Sequence, residues 1–206
     1  VCSSDLERCP LDTRAGAWSW SRAARPARDT VHPVGDPAYR RDPESDERLE
    51  LHAGVAVQKE AARFEHGDAQ GGIAVAIRAP FHRPPGEGRG GWWISVEAEV
   101  AYEGGWLFLH DLAGWRRARV PEKPTGRPVA PDWVCEVLSS NRRHDTITKF
   151  DVLGAAGVGH YWLVDTDVRE LVVHRRGADG WVRVGTYVAG ERGSTARIEP
   201  FDAVEI

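Results

Sequence analysis

The 206-residue sequence predicts a mixed α/β fold, α+β in the way it groups strands and helices, around one β-sheet. Three observations carry this. The alternating segment Trp92–Ala101 and the apolar Trp106–Leu109 flank a Gly104-Gly105 turn and read as a hairpin. Trp133–Leu138 is a short apolar run of the length expected for a buried central strand. Downstream, Ile147, Phe150 and Leu153 fall at helical spacing ahead of three more strand-like runs.

Residues 1–45 are rich in Arg, Ala, Pro and Asp and are broken by Pro26, Pro33, Pro37 and Pro43. They are expected to be a disordered or artefactual leader, with the folded domain spanning 46–206. The chain begins at Val and contains no Met, as an incomplete reading frame would. Order begins with Leu49-Glu-Leu-His-Ala-Gly54, which turns at Gly54 into a strand at Val55–Val57. A helix is predicted from Glu65 to Ile77, with Ile73, Val75, Ile77, Ala69 and Ala74 as its apolar side and Pro80 closing it. His82–Gly91 is a Pro/Gly loop. The hairpin that follows is expected to end at His110-Asp111, where a long loop carrying Arg116, Arg117 and Arg119 leads to the central strand. After the loop Ser139–Arg143, Asp145 or Thr146 can cap a helix that carries Lys149 in its first turns and stops at Gly154 or Gly157. His160–Val164, Glu170–His174 and Trp181–Val184 are strands, the last two joined by a turn at Gly177–Gly180.

Composition narrows the function. With 41% hydrophobic and 28% charged residues the chain suits one compact domain. It has no apolar run of the roughly 18 residues a membrane helix needs and no signal-peptide layout, so a cytoplasmic setting and no membrane partner are expected. The three cysteines, Cys2, Cys9 and Cys135, lack metal-ligand spacing, as do the eight histidines. A net charge of -4 argues against coating nucleic acid by bulk electrostatics, so any such partner must be held locally. Gly86-Glu-Gly88-Arg-Gly-Gly91 matches a dinucleotide fingerprint but precedes a strand, not a helix, which excludes a phosphate cradle there.

The remaining signal is a set of acids and an amine at or beside apolar strands. Glu136 interrupts Val134-Cys135 and Val137-Leu138, and a buried carboxylate requires a cation or hydrogen bonds. Asp111 stands at the end of a predicted strand and Lys149 on the helix after the central one. Carboxylates that hold Mg²⁺ or Mn²⁺, with an amine to orient water or meet phosphoryl charge, are what metal-assisted phosphodiester cleavage uses. Asp111 and Glu136 are the expected metal ligands and Lys149 the assisting amine. Asp132, after Pro131, is placed in support, because it serves equally well as a strand-entry turn residue. His110, Arg116 and Arg117 are candidate phosphate contacts, and His66 is a lower-ranked catalytic candidate.

Gly90-Gly-Trp-Trp-Ile94, His110-Asp-Leu-Ala-Gly-Trp-Arg-Arg117, Pro131-Asp-Trp-Val-Cys-Glu-Val-Leu-Ser139, Asp145-Thr-Ile-Thr-Lys149, Ala156–Asp165 and Glu199–Ile206 resemble, in order and spacing, the Uma-type restriction endonuclease family. The resemblance runs from about Glu50 to the C-terminus. It implies a branch of the PD-(D/E)XK nucleases: a restriction endonuclease-like central mixed sheet flanked by helices, a Mg²⁺-dependent site and double-stranded DNA as partner. By position, Asp111 matches the first metal-binding acid, Glu136 the second and Glu50 the acid of the family's Glu-Leu-x-x-Gly segment. Leu138 stands where the wider superfamily has its lysine, and Lys149 matches a lysine relocated to the next helix. His110 replaces the usual Pro before the Asp, and Ser140-Asn141 the usual Pro-Ser. The resemblance implies an endonuclease cutting DNA, with a homodimer favoured if the target is palindromic. The alternative is an inactive nucleic-acid-binding or interaction module of the same fold.

Overall fold

The computed structural model describes residues 48–59, 61–126, 128–139, 142–188 and 196–204. All belong to one compact unit spanning His32–Ile206. The leader expected at 1–45 lies outside the described residues.

The order of elements begins with a hairpin of β1 (Leu49–His52) and β2 (Val55–Gln58), then α1 (Phe64–Phe81) and a long hairpin of β3 (Trp92–Tyr102) and β4 (Trp106–Arg116). The central strand β5 (Trp133–Val137) leads through a π-helical turn (His144–Thr148) into α2 (Lys149–Ala155) and β6 (His160–Asp165). A meander of β7 (Glu170–Gly177) and β8 (Gly180–Val188) and a small hairpin of β9 (Ala196–Ile198) and β10 (Phe201–Val204) complete it. The main sheet runs β2-β1-β4-β5-β6-β7-β8, with β3 also on β4. β5 and β6 are parallel, with α2 in their crossover, and the other described pairs are antiparallel.

The helices divide between the two faces. α1 buries His66, Gln70, Ile73, Ile77 and Phe81, a stripe at helical spacing. Its apolar end packs with Trp92, Ile94, Leu112, Trp133, Trp162 and the β9–β10 residues Ile198, Phe201 and Val204 in one core cluster. Leu153 of α2 joins Val134, Tyr161, Phe108 and Trp115 in another.

β4 decides where the site falls. One of its edges pairs with β3 from Trp106 to Arg116. The other is shared: β1 meets it at Leu107, whereas β5 meets it from Leu112 to Gly114. Between these points β1 and β5 diverge and leave a notch beside Leu109, His110 and Asp111.

At the same level both strands of the β3–β4 hairpin turn over. Trp92, Ile94 and Val96 pack in the α1-side cluster, yet Ala98, Val100 and Tyr102, two residues on in the same alternation, pack in the α2-side cluster. On β4 the change falls between Leu112 and Phe108. Glu97, at φ 52, supplies the reversal in β3, and by register it stands opposite Asp111. The turnover puts His110 on the face that carries Glu136.

Four expectations need correction. β4 does not end at His110-Asp111, because Leu112, Ala113 and Trp115 are buried and the strand continues to Arg116. α1 outruns Pro80 by one residue, since a proline in the last turn removes a donor but leaves too little helix to break. Val75 and Ile147, read as core, are 71% and 51% exposed. Asp145 is no N-cap: it sits inside the π-helical turn, with its carboxylate on Lys149.

Candidate active site

The notch opens into a cleft of about 620 Å³ lined by residues of β1, β2, α1, β4, β5 and the π-helical turn. Glu50, Asp111, Glu136 and Lys149 all face it, as do Lys59, His66 and Asp145. Asp111 is brought beside Glu136 by register, since Leu112 pairs with Cys135 and the next positions toward the notch are these two acids. Sequence separation hides this, but adjacent antiparallel strands make it unavoidable.

Each acid is held by specific donors. The Val137 amide donates to Asp111 Oδ2 at 2.8 Å and the Lys59 ammonium to Oδ1 at 2.7 Å. His66 Nε2 lies 3.3 Å from Asp111 Oδ2. Glu50 Oε1 accepts from the Leu109 amide at 3.0 Å, so its carboxylate stands in for a strand partner inside the notch. Glu136 Oε1 meets Lys149 Nζ at 2.9 Å and His110 Nδ1 at 2.6 Å. Lys149 also reaches Asp145 Oδ1 at 3.0 Å and lies 3.8 Å from Glu50 Oε1.

Protonation follows from these contacts. Burial pushes the carboxyl of Asp111 upward, but His66 and Lys59 outweigh it and hold the group well below the usual carboxylate range. Glu50 comes down to about 2, because Lys149, His52 and Lys59 overcome its burial. Glu136 is likewise lowered against its burial, chiefly by Lys149. Asp145 behaves differently: burial and the neighbouring acids raise it to about 6 despite Lys149. Burial disfavours the Lys149 ammonium, yet Glu136, Asp145 and Glu50 raise its pKa well above normal, so it remains a donor. Lys59 is raised in the same way by Glu136 and Asp111.

His110 is fully buried, and burial lowers its pKa, so its contact with Glu136 is a hydrogen bond from a neutral ring and not an ion pair. Nδ1–H donates to Glu136, which leaves Nε2 to accept from the Tyr102 hydroxyl at 2.7 Å. Glu136 Oε1 is thereby taken by two donors. Glu136 also lines the cleft.

The remaining sequence candidates fall elsewhere. Asp132 precedes β5, about 13 Å from Glu136 by the strand rise, and does not line the cleft. It accepts from the Arg116 amide at 2.8 Å and pairs with Arg119 Nε at 2.8 Å, which anchors the loop after β4. Arg116 and Arg117 lie over the Trp92 and Trp93 rings at 4.4 and 3.5 Å, at the far end of β4. His110 is too deep to touch a phosphate. Lys59 carried no signal in the sequence, because it follows an exposed edge strand and reaches Asp111 only through the fold. His52 and His144, distant in sequence, stack with centroids 4.0 Å apart beside Glu50.

A sequence profile of the Uma2 family, described as "Putative restriction endonuclease", matches residues 36–202. The chain belongs to this family. The match begins inside the stretch expected to be a leader. No curated protein gives a significant match. Among solved structures, a putative nuclease belonging to DUF820 from Anabaena variabilis aligns with a TM-score of 0.56 at 20% identity, over 76% of this chain and 83% of that one. At that identity the likeness is one of fold, and it places the Uma2 chain among restriction endonuclease-like mixed sheets flanked by helices. Among the described residues no helix is long and apolar enough to cross a membrane.

Proposed function

We propose that the chain is a metal-dependent endonuclease that hydrolyses phosphodiester bonds of double-stranded DNA, with Asp111 and Glu136 as metal ligands. One observation carries this reading. Four buried carboxylates, Glu50, Asp111, Glu136 and Asp145, line one cleft, and the ammonium groups that pair with them are Lys59 and Lys149. Within that buried set three carboxylates face two ammonium groups even with Asp145 protonated, while Arg48 and Arg142 at the cleft are paired with Glu97, Asp165 and Asp167 and Arg63 is exposed. Buried carboxylates tolerate such an excess poorly without a further cation. The donors are hard oxygens, and Asp111 Oδ1 retains a lone pair beyond the bond it accepts from Lys59, which fits Mg²⁺ or Mn²⁺. When bound, such an ion supplies a Lewis acid for phosphoryl oxygen and an acidified water.

The protein's own groups have separate tasks in this reading. Lys149, 2% exposed and saturated by acids, holds Glu136 and Glu50 in place as a fixed positive charge. Lys59, 15% exposed, is the ammonium better able to meet a phosphate from the cleft. Tyr102 and His110 orient Glu136 from behind. Arg48, Arg63 and Arg142 also line the cleft, although Arg48 pairs with Glu97 and Arg142 with Asp165 and Asp167.

The test is nicking of supercoiled plasmid across divalent metals. Nicking with Mg²⁺ or Mn²⁺ that is lost in Glu136→Gln and Asp111→Asn supports the proposal. Intact plasmid in every metal, with DNA still bound, would instead favour a binding module of the same fold.

A further inference from the structure

We propose that Glu50, His52 and His144 form a second metal site, separate from the Asp111 and Glu136 pair, that takes a borderline transition ion such as Zn²⁺. One ligand atom from each of the three lies within 4.8 Å of the others. Glu50 is prepared for this role: Oε1 is committed to the Leu109 amide, while Oε2 faces His52 Nε2 at 3.2 Å. The imidazoles of His52 and His144 lie parallel, 10° apart in plane. They bring two nitrogen donors from the end of β1 and the π-helical turn to one carboxylate.

A second observation points to a missing ligand. His144 Nε2 is buried and has no hydrogen-bond partner among the described residues. A buried polar atom left unpaired is costly, and a metal bond would satisfy it. His144 also opens the π-helical turn, an irregularity that recurs where a helix must aim a side chain at a site. His144 Nδ1 stands 3.9 Å from Asp145 Oδ1, close enough for Asp145 to steady the ring once it ligates.

The donor chemistry separates this site from its neighbour. Two imidazoles and one carboxylate suit Zn²⁺ or a similar first-row ion, whereas a set of oxygens alone suits Mg²⁺. Three protein ligands leave a fourth position for water or a phosphate oxygen at the cleft. A tetrahedral ion with bonds of about 2.1 Å needs its ligands roughly 3.4 Å apart, so the widest pair closes by up to about 1.4 Å on binding.

Calorimetric titration of the metal-stripped full chain with Zn²⁺, in a large excess of Mg²⁺, tests this. The expected result is one Zn²⁺ per chain, weakened more than about 100-fold in His52→Ala and in His144→Ala and retained in Glu136→Gln. Circular dichroism and melting of the metal-free variants check that they fold, and His52→Gln and His144→Gln replace any alanine variant that does not. No zinc uptake by the unaltered chain, uptake erased by Mg²⁺, or uptake that survives both histidine changes overturns the proposal. Because binding and not cleavage is read, a negative result leaves the nuclease reading standing, and an inactive protein leaves the zinc result interpretable.

Discussion

Lys149 Nζ lies 2.9 Å from Glu136 Oε1, with both side chains 2% exposed, although one sits on a helix and the other in a central strand. The pair is the electrostatic centre of the cleft. Removing one partner strands the other in a low-dielectric interior. Lys149→Met is therefore expected to cost about 3–5 kcal/mol in urea unfolding of the metal-free protein. The double change Lys149→Met with Glu136→Gln should recover part of that loss. Equal losses in the single and double variants would show that packing, and not charge, holds Lys149.

Tyr102 and His110 fix Glu136 without reaching the cleft. Tyr102→Phe removes the donor to His110 Nε2 and frees the ring to change tautomer. Plasmid nicking should fall about 10-fold or more through kcat, with KM for DNA little changed, as for other partners that orient a ligand. A change confined to KM would place Tyr102 in substrate binding instead.

Asp145 and Glu50 set opposite pH trends. The Asp145 carboxyl is raised from 3.8 to about 6, so between those values the folded state binds more protons than the unfolded and stability falls as pH rises. Glu50 is depressed from 4.5 to about 2, so its contribution is complete above pH 4.5 and is lost as pH falls toward 2. In EDTA, urea midpoints should decline from pH 4 to 6, and Asp145→Asn should flatten that decline. An unchanged slope in Asp145→Asn rules out Asp145 as its source.

Asp132 is a test of what the cleft excludes. Asp132→Ala removes the acceptor for Arg119 and the Arg116 amide and should cost about 1 kcal/mol of stability, since the pair is partly solvated. Metal-dependent nicking should stay within a few-fold of the unaltered protein. A loss as large as that of Glu136→Gln would return Asp132 to the site.

Gly114 is a check on the core beneath the site. A Cβ there would meet Trp133 Cε3 at 3.0 Å and Trp92 Cε3 at 3.3 Å. Gly114→Ala should lower stability by about 1–3 kcal/mol in thermal or urea unfolding, as overpacking does.

The sequence by itself determined the fold class and most of the strands, because alternation, short apolar runs and glycine turns are local signals. It also marked Glu136, since an acid inside Trp133–Val137 stands out wherever the strand goes. Asp111 and Lys149 were legible as a strand-end acid and an amine on the helix after the central strand, Glu50 only through the family resemblance, and the fold does bring all four to one cleft. The tertiary structure alone decided the rest. Lys59 and His66 reach Asp111 only because β1 and β5 part along one edge of β4. Asp145 joins Lys149, and does not cap a helix, because the π-helical turn lies against the sheet face that bears Glu136. Asp132 leaves the site because four residue steps of extended strand separate it from Glu136. The reason is common to all: backbone preference acts over a few neighbours, whereas a site is set by which strands pair, in which register, and where that pairing stops.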